Sequence, residues 1–281
     1  MQQSSAIGIG KRSIPSTGEA IPELGMGTWK SFDVPAGPAR KRLAENLRLF
    51  AAAGGTVIDT SPMYGLAEAA LGDLLPETGP ALRPFLATKV WTEGRENGIR
   101  QMETSLGLMG VSHVDLIQIH NLVDWESHAP VLREWKTAGR IRYWGLTHYL
   151  DSAFLELERV AAAAKPDFLQ FNYSLGDDAA ERRLLPFCAA NGIAVLINRP
   201  FGEGRLFQRV RGKPLPDWAA AAGCESWSAL FLKFVLSHPA VTCAIPATGD
   251  PAHLAENLRF ASGGLPGREQ RSEWARLMES I

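Results

Sequence analysis

Eight short apolar, often β-branched runs recur along this chain, and stretches of helical character separate them. The runs are ELGMGTW (23–29), TVIDTS (56–61), PFLATKV (84–90), VDLIQIH (114–120), IRYWGLTHY (141–149), FLQFNYS (168–174), IAVLINR (193–199) and VTCAIPAT (241–248). Most are near-continuous rather than strictly alternating, the pattern of parallel strands covered on the outside by helices. Between them, ARKRLAENLRLFAAAG, NGIRQMETSLGLMG and HAPVLREWKTAG run to Gly54, Gly110 and Gly139, the residue type suited to a left-handed helix stop. AERRLLPFCAANG carries Pro186, which kinks its helix or sits in the first turns. SWSALFLKFVLSHP stops at Pro239, and DPAHLAENLRF has Pro251 at a first helical position. Eight strand-then-helix units without a break in composition predict one α/β domain over residues 1–281, a (β/α)8 TIM barrel. An open doubly wound sheet is the alternative. The turn signal PSTGE (15–19) predicts a hairpin at the barrel's bottom, and GREQRSEWARLMESI a short C-terminal helix. Residues 202–225, rich in glycine and proline, predict a long irregular connection after the seventh strand.

Composition removes several classes of function. Basic residues number 29 and acidic residues 30, so no net field draws the chain to nucleic acid or an anionic membrane. No basic cluster is interleaved with aromatics, and no apolar run reaches membrane-spanning length. The expectation is a small-molecule partner, no nucleic acid, no membrane, and a monomer or weak oligomer. Cys188, Cys224 and Cys243 form no CxxC pair and read as buried apolar residues of a reducing compartment. The histidines (113, 120, 128, 148, 238 and 253) show no HExxH or other paired spacing, so no metal is expected. MQQSSAIGIGKRS has no signal-like apolar core. A cytoplasmic location is expected, with export by a leader outside this sequence as the alternative.

Barrel active sites lie at the C-terminal ends of the strands, so the ionisable groups there carry the reading. Asp59 ends the second run, Tyr64 follows five residues later, Lys89 is near the end of the third, and His120 closes the fourth. Three neighbouring strands thus aim four polar groups at one mouth. Asp59 and Lys89 are placed to pair, which offsets the cost of burying either. A lysine ammonium beside Tyr64 favours the phenolate and is expected to lower the tyrosine pKa, so that the phenol delivers a proton to a developing alkoxide at neutral pH. His120 is placed to orient the substrate oxygen. Taken singly, each group is more often structural than catalytic. Their convergence is the signal.

Over nearly its whole length the sequence resembles the aldo-keto reductase family. TVIDTSPMYGLAEAALGDLL resembles the family segment in which an aspartate precedes the catalytic tyrosine by five residues; ATKVW supplies the family lysine and DLIQIHN the family histidine. The resemblance implies reduction of aldehyde or ketone carbonyls by a reduced nicotinamide, without a metal, with Tyr64 as general acid assisted by Lys89, Asp59 and His120. It implies NADP(H), with NAD(H) as the alternative. GMGTW places Gly27, Thr28 and Trp29 beside the nicotinamide, together with Asp59. Thr147 and His148 stand where the family has Ser-Asn on the carboxamide, and Gln170 fits the family glutamine on its other side. After the seventh strand, Asn198 replaces the aromatic that stacks on the nicotinamide. In the same loop, with Pro200 and Gly202, Phe201 is the candidate to replace that surface and Arg199 the candidate for the pyrophosphate. IPATGDPAHLAENLRF fits the adenosine-phosphate segment, with Pro246, Ala247, Thr248, His253, Glu256 and Asn257 facing the nucleotide. Ala247 and His253 stand where relatives carry basic side chains, and Arg205 and Arg259 are candidates to compensate. The substrate wall is expected from Trp29, Met63, Tyr64, Trp91, His120 and Asn121, with Tyr149 nearby. The altered cofactor positions leave a second reading: a weak or inactive nicotinamide-nucleotide-binding barrel, acting as a sensor or partner subunit.

Overall fold

The computed structural model of the chain describes residues 8–261 and 264–281; the first seven residues of the leader reading lie outside them. A two-stranded antiparallel hairpin comes first, β1 (Lys11–Ser13) and β2 (Ala20–Pro22). Eight parallel strands follow, each bonded to its sequence neighbour: β3 (Met26–Gly27), β4 (Val57–Asp59), β5 (Phe85–Val90), β6 (Val114–His120), β7 (Ile141–Thr147), β8 (Phe168–Asn172), β9 (Ala194–Asn198) and β10 (Cys243–Ala244). The two ends of this sheet meet. Gly25 donates to the Ala244 carbonyl at 2.8 Å, Ala244 to Glu23 at 2.9 Å and Gly27 to Pro246 at 3.0 Å. A Cβ at Gly27 would lie 2.8 Å from the Ile245 carbonyl oxygen, so the seam closes only around a residue without a side chain. All eight expected runs contain a strand, and the barrel is the expected (β/α)8 fold.

Each strand alternates between two apolar layers. Val57, Phe85, Leu116, Tyr143, Phe168 and Leu196 point inward, where they share a cluster with Ile14 and Ile21 of the hairpin. Ile58, Leu86, Ile117, Leu146, Leu169 and Ile197 point outward into the helices. The inner floor is aromatic: Tyr143 meets Phe168 edge-on at 5.4 Å and Phe85 at 5.9 Å. The Tyr143 hydroxyl also contacts Thr17 at 2.8 Å, so the hairpin closes the N-terminal end as expected. Polar inward positions are left for the upper end alone.

The helical layer is α1 (Pro38–Ala52), α2 (Ala67–Leu74), α3 (Arg95–Met109), α4 (Trp125–Thr137), α5 (Phe154–Ala164), α6 (Leu184–Asn191), α7 (Arg205–Arg209), α8 (Asp217–Ala221), α9 (Trp227–Leu236), α10 (Pro251–Ala261) and α11 (Arg268–Glu279). Gly54, Gly110 and Gly139 take the left-handed conformation expected of them. Pro186 is the third residue of α6, where its missing N–H is one of the unpaired donors of any helix start. Two details differ from the sequence expectation. α4 starts at Trp125, before the expected segment, which puts Pro130 inside the helix rather than in its first turn. Residues 202–225 are not irregular throughout, because they hold α7 and α8. Trp218 of α8 packs on Trp274 of α11 with centroids 6.1 Å apart, and Arg209 donates to the Met278 carbonyl at 2.5 Å. The final helix is thereby fastened to the long connection. Among the described residues, no helix is long and apolar enough to cross a membrane.

Helix α2 reaches α3 at Gly72, where a Cβ would sit 2.1 Å from the Leu108 carbonyl oxygen. Backbone cannot yield as a flexible side chain can, so Gly72→Ala is expected to cost about 2 kcal/mol and lower Tm by roughly 5 °C. A thermal melt equal to that of the parent chain would contradict this packing.

Candidate active site

The period of two that fills the barrel with apolar side chains also delivers its polar ones. Inward positions at the C-terminal ends are Asp59 on β4, Lys89 on β5, Gln118 and His120 on β6, Thr147 on β7, Gln170 on β8 and Asn198 on β9. At their centre the Lys89 ammonium donates to Asp59 Oδ2 at 2.7 Å and to the Thr60 carbonyl at 2.7 Å. Asp59 Oδ1 accepts from Gln170 Nε2 at 3.0 Å and Gln118 Nε2 at 3.2 Å. Gln170 Oε1 in turn accepts from the Thr147 hydroxyl at 3.1 Å. Lys89 is 0% exposed and Asp59 2%, a depth at which ionic groups persist only when so fully bonded.

Tyr64 lies in the turn between β4 and α2. Its amide donates to the Ser61 carbonyl at 3.0 Å, and the next turn is tied by the Leu66 amide to Asp33 Oδ1 at 2.9 Å. This places the ring with its centroid 5.0 Å from Lys89 Nζ. The four polar groups expected at one mouth do converge there.

The electrostatic outcome corrects one expectation. Burial raises the Tyr64 phenol most strongly, Lys89 opposes it, Asp59 adds to it, and the net pKa lies above the ordinary value rather than below. The charge of Lys89 acts in the expected direction but is outweighed by desolvation. Lys89 is lowered by burial, yet Asp59 and then Tyr64 more than reverse this and hold the ammonium above its ordinary pKa. His120 is pushed down to about 3 by burial, with Lys89 and His148 adding to it. It is therefore a neutral imidazole across the physiological range. Its Nδ1 is buried without a partner among the described residues.

A cavity of about 720 Å³ opens over this cluster. Of the positions expected at the site, Gly27, Thr28, Trp29, Asp59, Met63, Tyr64, Trp91, His120, Asn121, Thr147, Gln170, Asn198, Arg199, Pro200, Phe201, Pro246 and Ala247 line it. Lys89 sits behind the lining, as its burial requires. Trp29, Met63 and Trp91 are 36%, 38% and 40% exposed, an apolar wall facing open space. Tyr149, expected only nearby, is also in the lining, as are Lys30, Glu203, Phe207 and Ile245, which the sequence reading did not single out. Gln118 was passed over as well, although its inward parity with His120 is a readable signal.

Other expected positions lie outside the cavity lining. His148 stacks on Tyr149 at 5.7 Å and accepts the Leu150 amide on Nδ1 at 3.2 Å. Gly202 lies in the left-handed turn below Arg199. The Thr248 hydroxyl accepts the Asp250 amide at 3.1 Å in the turn that leads to α10. On α10, His253 is exposed, Glu256 half-buried and Asn257 buried. Arg199 lies over the Tyr149 ring at 4.4 Å and pairs with Glu203 at 2.8 Å. Arg205 donates to the Gly202 carbonyl at 3.1 Å, and Arg259 pairs with Glu225 at 3.2 Å. Among the described residues, no cluster of three or more His, Cys, Asp or Glu is arranged to hold a metal ion.

With this geometry in place, comparison with known proteins points one way. A sequence model of the Aldo/keto reductase family matches residues 23–269. The chain is similar to the methylglyoxal reductase YeaE of Escherichia coli (strain K12), 29% identical over 257 residues and 89% of each chain. It is also similar to an NADH-specific methylglyoxal reductase of Escherichia coli (strain K12), 27% identical over 75% of this chain and 73% of that one. Among solved structures, it resembles an aldo-keto reductase from Klebsiella pneumoniae in complex with NADPH. That likeness has a TM-score of 0.77 at 26% identity and covers 96% of both chains.

The depressed pKa of His120 has a consequence for stability. The unfolded chain takes up the proton near 6.5, the folded chain only near 3. The histidine's contribution is therefore intact above pH 6.5 and is lost as pH falls through that window. His120→Gln is expected to flatten the fall of Tm between pH 7 and 4.5. Parallel melting curves for the two proteins would refute the neutral, buried imidazole.

Proposed function

Because the chain belongs to the aldo/keto reductase family, an NAD(P)H-dependent class of carbonyl-reducing enzymes, we propose that Tyr64 protonates the carbonyl oxygen of an aldehyde or ketone held over the Asp59–Lys89 pair. The observation that carries this is the buried ammonium, bonded to Asp59 and set beneath a tyrosine ring that lines the cavity. A phenol with a raised pKa keeps its proton at neutral pH and is available as an acid. As negative charge develops on the substrate oxygen, Tyr64 releases its proton to it. The nearby Lys89 ammonium steadies the resulting phenolate, which lies in a medium of low dielectric. His120, neutral to about pH 3, orients the carbonyl by hydrogen bonding and does not compete as the proton source. Alcohol oxidation runs the same steps in reverse, with the Tyr64 phenolate as base.

The residues present suit a nicotinamide nucleotide. Asn198 Oδ1 and Asn121 Oδ1 are buried beside the cavity without partners among the described residues, while Thr147 and Gln170 supply further polar groups. We assign Tyr149 and Phe201 the apolar surface that Asn198 does not provide, since both line the cavity on either side of it in the chain. Arg199 reaches a phosphate only by sharing or leaving Glu203. When bound, the reduced nicotinamide supplies the hydride that adds to the carbonyl carbon. NADP(H) is the cofactor we assign, with NAD(H) as the alternative because Ala247 and exposed His253 bring no fixed positive charge. Trp29, Met63 and Trp91 favour apolar or aromatic carbonyl compounds, whose burial covers the exposed wall.

Consumption of NADPH and NADH, followed by absorbance with a panel of aldehydes and ketones, tests the assignment. Turnover is expected with at least one pairing, and its absence from all of them, together with measurable nucleotide binding, would favour the binding-only reading. Tyr64→Phe is expected to lower kcat by about 100-fold to 10,000-fold while nucleotide affinity stays within about twofold. A Tyr64→Phe enzyme of full activity would remove the tyrosine from the mechanism.

A further inference from the structure

Gln118 is fully buried in β6, between Lys89 of β5 and Gly145 of β7 in the strand register. A Cβ at Gly145 would stand 3.1 Å from Gln118 Cγ and 2.8 Å from the Phe168 carbonyl oxygen. The glycine thus leaves the space through which Gln118 extends across the barrel to Asp59, two strands away. There its amide nitrogen donates to Oδ1 at 3.2 Å. Its own oxygen is buried with no partner among the described residues.

A half-satisfied amide is a costly way to fill a barrel, because the orphaned oxygen gives up its bonds to water and gains none in return. Leucine or methionine occupies the same volume without that cost, and the inward layer below consists of such residues. What the amide adds is the bond to Asp59. The other donor to Oδ1, Gln170, is differently placed: it lines the cavity and bonds Thr147 through its oxygen. A ligand that engages Gln170 draws on the same amide that holds Asp59. Gln118 lies outside the cavity lining, so its amide is not exposed to the cavity as that of Gln170 is.

We propose that Gln118 is a positioning residue that keeps the Asp59 carboxylate turned toward Lys89 whatever Gln170 is bonded to, and so maintains the proton donor through binding and release. The inference rests on the reading of Tyr64 as that donor. The charged groups facing Tyr64 are Lys89, Asp59 and Arg199, and substitution at position 118 leaves all three in place. Gln118 sets only the orientation of one of them and how much of its charge is offset by a donor.

Two variants and one melting cycle test this. Gln118→Met removes the donor at nearly constant volume, and kcat is expected to fall on the order of tenfold with KM and NADPH Kd within about twofold. Gln118→Glu donates to Asp59 while protonated and repels it when ionised. It is expected to approach the parent kcat at the acid end of a pH 5–9 profile and to lose it as pH rises. The parent has no such limb from His120 or Tyr64, neither of which changes charge there. Unchanged kcat in Gln118→Met, or a Gln118→Glu enzyme equally slow at every pH, would overturn the proposal. If Gln118→Met fails to fold, the Gln118→Glu profile decides. If the parent chain reduces no carbonyl, the functional reading fails, and the melting cycle still decides for Gln118. The Tm loss from Gln118→Met should shrink in an Asp59→Asn background, whereas an equal loss in both backgrounds overturns the contact.

Discussion

One buried ion pair organises the upper end of this barrel. Lys89 and Asp59 are each removed from water, a transfer that would be prohibitive for either alone. The barrel makes it tolerable by supplying every remaining partner: the Thr60 carbonyl for the ammonium, and two glutamine amides for the second carboxylate oxygen. The two glutamines come from β6 and β8, strands that meet Asp59 only because the sheet closes into a cylinder. An open sheet would leave them on the far side. The closure at Gly27 and the polar cluster are in this sense one design, since the cluster needs a curved wall to bring the amides of β6 and β8 to Asp59.

The tyrosine depends on the same pair. Its phenol is raised by burial more than the ammonium can lower it, which leaves an acid that holds its proton until charge develops next to it. That balance differs from a simple picture of activation by a neighbouring cation. In the proposed mechanism what Lys89 contributes is selective: little to the resting phenol, more to the anion left after transfer. Desolvation keeps His120 an uncharged hydrogen-bonding group.

Much of this was legible in the residues. The eight runs, the bottom hairpin, the final helix and the meeting of Asp59, Tyr64, Lys89 and His120 follow from periodicity and from the rule that barrels work at their strand exits. The direction of the Tyr64 shift did not follow, because a sequence names neighbouring charges but not the depth at which they sit. Gln118 was hidden within VDLIQIH, a run read as continuously apolar, although strict alternation puts it on the face of His120. Tyr149 and Glu203 enter the site through the shape of loops, where Arg199 and Glu203 adopt positive φ against their ordinary preference. Composition could only describe that region as rich in glycine and proline. The nucleotide positions on α10 rest on resemblance more than on physical reasoning, and Thr248 is occupied by its own turn.

The seam of the barrel also has a bearing on how the chain reaches this state. β3 finds its last neighbour only in β10, and Arg12 in β1 of the hairpin donates to the carbonyls of Leu236, His238 and Val241, the last of them 229 residues away. Contacts so distant in sequence form late and slow folding. A ribosome feeding out this chain presents an unpaired parallel edge at β3 for most of synthesis, an invitation to pair with a stranger. That edge consists of two residues, one of them the bare Gly27. The brevity that makes the seam easy to close also makes the waiting strand a poor template for aggregation.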